Sequence, residues 1–181
     1  MTAGPAMRRF VLAARSLGLL SALTVLAGCS SDGPPPLCPP TGTPAPLDSF
    51  TQFEPGGGQD LTQVRFSGRI ARVQSACEYD EKGVDLELAI QLVVERGPAD
   101  RSRQAELQYF VAVEDGPGNI TAKRIFDVAV PFEGNSRRLA RLEEIELRIP
   151  APAGQGFKQT RVLVGLQLSQ EQLDYNRRLK P

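Results

Sequence analysis

The sequence predicts an all-β fold: an antiparallel β-sandwich of about seven strands followed by a short C-terminal helix. Three observations lead there. Apolar residues recur with period two through most of the chain after Leu61, the breaks between those runs are short and turn-like, and the last stretch carries helix signals instead.

Taken in chain order, Val64, Phe66 and Ile70 lead into Val73 with a change of phase near Ala71. A β-bulge produces that change by adding one residue to one strand. After Cys77, "DEKG" separates this run from the clearest strand of the chain. There Val84, Leu86, Leu88, Ile90, Leu92 and Val94 alternate with Asp85, Glu87, Ala89, Gln91, Val93 and Glu95. A strand puts those six on one face, whereas a helix would scatter them around its circumference. Leu107, Tyr109, Val111 and Val113 repeat the signal, and "EDGPGN" (114–119) reads as a hairpin loop. Phe126, Val128, Val130 and Phe132 follow, then Leu142 with Ile145, Leu147 and Ile149. "PAPAGQG" breaks the chain before the last run, Val162, Val164, Leu166 and Leu168.

Short connections imply antiparallel pairing, since parallel strands need a crossover of a dozen residues or more. The result is a sandwich of immunoglobulin or fibronectin type III kind in general architecture, without the Cys and Trp signature of antibody domains. A small β-barrel is the alternative. Phe66, Leu88, Ile90, Val111, Val128 and Val164 are expected to share one core. In the tail, "LSQEQLDYNRRLKP", Ser169 and Gln172 have capping-box spacing, and Arg177, Arg178 and Lys180 suit a helix C-terminus. Leu173 and Leu179 are the residues expected to pack this helix on the sandwich.

Ahead of the strands, residues 29–60 read as a linker. "DGPPPLCPPTGTPAP" is dense in proline, which favours extended polyproline II geometry, and "EPGGGQD" marks a flexible turn. The domain is then expected over 61–168 and the helical tail over 169–181.

The N-terminus has a different character. Arg8, Arg9 and Arg15 precede Leu17 to Ala27, an apolar run too short to span a bilayer of about 30 Å. It ends in Leu26-Ala27-Gly28-Cys29, which resembles the lipobox of bacterial lipoproteins. The resemblance implies cleavage between Gly28 and Cys29, removal of residues 1–28, and attachment of diacylglycerol to the Cys29 sulfur, usually with acylation of the new amino group. Two or three acyl chains anchor firmly where one binds only reversibly. An ordinary secretory signal is the alternative. Arg8-Arg9 also superficially resembles a twin-arginine export signal, and Met7 is a second candidate start. Ser30 replaces the aspartate that retains well-studied proteobacterial lipoproteins at the inner membrane, so the resemblance favours the periplasmic face of the outer membrane over that of the inner. Beyond the lipobox, the pattern looks like small proteobacterial envelope lipoproteins of unassigned function.

Loss of the three signal arginines from 21 basic residues leaves 18 against 21 acidic ones, a net charge of about −3. That balance disfavours nucleic acid as a partner. The chain contains no His and no Trp. Without His there is no Ser-His or Cys-His nucleophile system, no imidazole base and little basis for a zinc site. With Cys29 lipidated, Cys38 and Cys77 remain as a pair in an oxidising compartment, where a disulfide is expected.

The acidic residues Glu78, Asp80 and Glu81 fall in a hairpin turn, and Glu144 and Glu146 on a strand's solvated face. Neither group shows the facing pair that glycoside hydrolysis requires. The expected role is therefore a non-catalytic binding or assembly module with no cofactor and no metal, held on the membrane through Cys29 and meeting an envelope protein. An acid-based hydrolase of envelope polymers and a small-ligand carrier in a closed barrel are the alternatives.

Overall fold

A computed structural model describes residues 37–150, 157 and 159–179. The signal segment, the lipobox with Gly28 and Cys29, and most of "PAPAGQG" lie outside these residues. The described elements are β1 (Thr41–Gly42), β2 (Ser49–Phe53), β3 (Val64–Asp80), β4 (Gly83–Arg96), β5 (Gln104–Asp115), β6 (Ile120–Pro131), β7 (Arg138–Pro150), β8 (Thr160–Leu166) and α1 (Gln170–Leu179).

The strands form two four-stranded sheets, ordered β1-β8-β5-β6 and β2-β3-β4-β7. Every pairing is antiparallel except β1 with β8. Neither sheet closes on itself, so the small-barrel alternative is overturned, and with it a ligand held inside such a barrel. The sandwich expected from the period-two runs is the observed fold.

The inner faces meet in one core. All six residues expected to share it do so, with Tyr109, Val162 and Leu166 among those added. The phase change near Ala71 is a bulge: pairing steps from Ile70 opposite Leu92 to Arg72 opposite Gln91. Phe66 and Ile70 pack against the core before it, and Val73, Cys77 and Tyr79 after it. Gly68 is required by close approach, because a Cβ there would sit 2.5 Å from the Phe50 ring and 2.8 Å from the Val93 carbonyl.

Three expectations need correction. The segment 29–60 is not all linker, since β1 pairs Thr41 with Val162 and β2 pairs Ser49–Phe53 with β3. Strands of two and five residues are too short to show a periodic signal, and Thr41–Gly42 and Ser49–Phe53 contain no proline, so their N–H groups can join a neighbouring strand. Second, Leu142 points outward and is 58% exposed. It stands opposite Gln91, while Leu139 opposite Val94 takes the inner position. Third, Leu179 does not dock the helix, being 61% exposed.

The helix docks through a polar side chain instead. Buried Asn176 donates from Nδ2 to the carbonyls of Pro46 (2.8 Å) and Ser49 (2.6 Å), and the Tyr175 ring meets Phe53 edge-on at 5.1 Å. The capping box forms as expected. Gln172 N–H donates to Ser169 Oγ, and Ser169 N–H donates to Gln172 Oε1. Cys38 and Cys77 are joined, with Sγ atoms 2.04 Å apart and Cα atoms 5.7 Å apart. Beside them the Tyr79 hydroxyl donates to the Leu37 carbonyl at 2.7 Å.

Candidate functional site

Among the described residues, one concavity follows from a mismatch in strand length. β5 begins at Gln104, but its partner β8 ends at Leu166, opposite Tyr109. The last bond between them runs from the Gln167 N–H to the Gln108 carbonyl. Main-chain groups alternate sides along a strand, so those of Glu106 point the same way as those of Gln108. No described strand lies beside them.

A slot of about 760 Å³ fills the gap between this free stretch of β5, the start of α1 and β2. Phe50, Leu107, Val128 and Leu166 supply apolar surface, while Gln52, Glu106, Gln167 and Gln172 supply polar groups. Gln108 Nε2 donates to Asp127 Oδ1 at 2.7 Å and fixes both side chains at one rim. Apolar surface with a few oriented polar groups and unpaired main chain suits an extended peptide, which adds hydrogen bonds to the strand edge and places alternate side chains in the slot. Of these polar residues the sequence marks only Gln172, and as a helix cap rather than as part of a site. Their grouping depends on which strand pairs with β5 and where it stops, and no local pattern records that.

The acidic residues considered for hydrolysis lie elsewhere. Glu144 and Glu146 share the outer face of β7, beside Glu87 of β4, in a shallow depression. They form a row on one sheet rather than a pair facing across a cleft. Asp80 and Asp85 both bind Arg148, at 2.5 and 2.6 Å, and this guanidinium holds the Asp80 carboxyl below its usual range. Glu78 and Glu81 are exposed around the same hairpin. Among the described residues no group of three or more His, Cys, Asp or Glu side chains could hold a metal ion, and no helix is long and apolar enough to cross a membrane.

At the opposite corner from the hairpin, Asp100 organises the β4–β5 turn. Its carboxylate accepts from Arg96 Nε (2.6 Å), from the N–H and hydroxyl of Ser102 (both 2.9 Å) and from the Arg103 N–H. Arg103, held at φ 58°, accepts through its carbonyl from the Phe132 N–H and so ties this turn to the β6–β7 crossover. Burial alone would raise the Asp100 pKa, but Arg96 and Ser102 hold the charged form and lower it. Asp100→Ala should therefore cost about 3 kcal/mol at neutral pH, since Arg96 and three donors lose their partner. A depressed carboxylate contributes stability that is complete above its unfolded pKa of about 3.9 and fades as pH falls through the folded value. In urea melts, the gap between wild type and variant should narrow below about pH 4. A gap that stays constant or widens on acidification would contradict this role.

Gly28 and Cys29 lie outside the described residues, whereas Cys38 and Cys77 come together as expected. Compared with known proteins, the chain matches no family model, no curated protein and no solved structure.

Proposed function

We propose that this chain is a lipid-anchored protein of the bacterial envelope that acts as a non-catalytic binding or assembly module, engaging an extended segment of an envelope protein in the slot beside β5. The slot carries this reading, because it joins apolar surface, oriented amides and the main chain at Glu106, beside which no described strand lies, in one place. Anchorage rests on the resemblance of Leu26-Ala27-Gly28-Cys29 to a lipobox, and Ser30 favours the outer membrane.

The folded region supports a short tether. It is fastened from Cys38 onward, leaving about nine residues after Cys29, which could reach roughly 30 Å at most if extended as polyproline II at about 3.1 Å each. Partners on the same membrane are then the accessible ones.

Two measurements test the reading. Cys29→Ser should release the protein from the membrane fraction while leaving its melting curve unchanged, and the intact mass of wild type should show the lipid. A wild-type mass without lipid refutes the anchor. A photo-crosslinking residue at Gln108 or Gln172 should capture an envelope protein in cells, while one at Glu144 should not. Equal capture from both faces refutes the slot.

A further inference from the structure

The far edge of the β5 sheet carries a self-complementary pattern. β6 ends its sheet, and no described strand pairs with its outer edge. Natural edges of this length are usually shielded. β7, the end strand of the other sheet, follows that rule by pairing Arg141 with Glu143 (2.7 Å) at positions opposite the core residues Leu92 and Ile90. β6 carries charge too, but arranged symmetrically: Ile125 is 50% exposed, with Lys123 and Asp127 two residues to either side.

The hydrogen-bonding direction agrees with that symmetry. Ile125 stands opposite Phe110, whose main-chain groups serve β8, so the N–H and C=O of Ile125 point to the open edge. The same holds for Lys123 and Asp127. An antiparallel two-fold pairing centred on Ile125 therefore joins residues whose main-chain groups meet no other described strand, and gives about six main-chain bonds at two per narrow pair. It places Ile125 against its copy, Lys123 opposite the second copy's Asp127, and Asp127 opposite the second copy's Lys123.

Both charged side chains are already held on the outer face of their sheet. Lys123 Nζ sits 4.4 Å from the Phe110 ring centroid and donates to Gln167 Oε1, while Asp127 accepts from Gln108. On the inner face Arg124 lies over the Phe126 ring at 5.1 Å, and the same pairing sets it opposite the second copy's Phe126, so this charge finds an aromatic face on both sides. Pro131, which has no N–H to lose, occupies the strand's last position. We propose that β6 is a homodimer interface, pairing with β6 of a second copy about Ile125 to make one continuous eight-stranded sheet. The interface is isologous, so it closes as a dimer and does not propagate.

The test uses the full-length chain in a Cys29→Ser background, followed by sedimentation and by oxidative crosslinking. Ile125→Cys should crosslink to its own copy, because narrow-pair Cα atoms lie about 5.5 Å apart, within disulfide reach. Ala129→Cys, facing Thr121 across the axis, should crosslink at least about tenfold more slowly. Lys123→Asp sets like charges opposite each other twice and should raise the dimer dissociation constant about tenfold. Adding Asp127→Lys restores the opposite-charge order and should bring dimerisation back. A monomer in sedimentation, equal crosslinking at 125 and 129, or a double variant that stays as weak as the single one would each overturn the proposal.

Discussion

Leu88→Ala should lower the stability of the domain by about 2–5 kcal/mol, the range for truncating a fully buried leucine whose site cannot collapse. Leu88 is 2% exposed and sits in the middle of β4, with β3 on one side and β7 on the other. Ladders on both flanks prevent the backbone from closing over a lost side chain. Asp85→Ala, three residues away on the opposite face, should cost under about 0.5 kcal/mol, although Asp85 pairs with Arg148, because exposed ion pairs contribute little. Urea melts of the two variants give the comparison. Equal losses would refute the assignment of faces along β4.

Replacing both Cys38 and Cys77 by Ser should cost about 4 kcal/mol in the chain-entropy model, given the 39-residue separation of the two cysteines. The double variant avoids leaving a lone thiol. Its effect on reach is smaller than the proline-rich sequence suggests. Were residues 29–60 all linker, removing the bond would free the chain as far as Leu61. Instead β1 remains paired to β8 and β2 to β3, so only the stretch before Thr41 gains freedom. Limited proteolysis should accordingly cut the variant before Thr41 and spare Ser49–Phe53. Cleavage within β2 in the folded variant would show that the disulfide, rather than strand pairing, holds this segment.

The parts of the fold legible in the sequence are those fixed by near neighbours. Alternation from Val84 to Val94 needs only one strand to be visible, and the phase slip at Ala71 appears as two apolar residues shifting parity. The capping box spans three residues, and the disulfide follows from having two cysteines left to pair. What escaped depends on distant partners. β1 exists because β8 offers an edge to Thr41 and Gly42, and Asn176 is buried because two carbonyls of the β1–β2 region face it across the sequence. The outward position of Leu142 is not legible because an isolated leucine in a polar strand carries no phase of its own. The slot lay further out of reach, since it is the space left where one strand stops before another. Asp100 gave no signal at all: an aspartate in a turn is ordinary, and only its four donors reveal its role.

The position of the disulfide also decides how the domain bears tension. Its two cysteines bracket β1, β2 and all but the last three residues of β3 within one covalent loop. A pull applied ahead of Cys38 crosses the S–S bond and enters at Cys77, bypassing the loop entirely. Cys77 lies within the β3–β4 ladder, which runs from Phe66 opposite Arg96 to Asp80 opposite Gly83. The load therefore falls on the longest ladder of the sandwich, while the two-residue β1 and five-residue β2 remain slack. Forced unfolding is governed by a rate, not by equilibrium stability. Reduction of the one bond would shift the load to β1 and let the domain peel from its weakest strand.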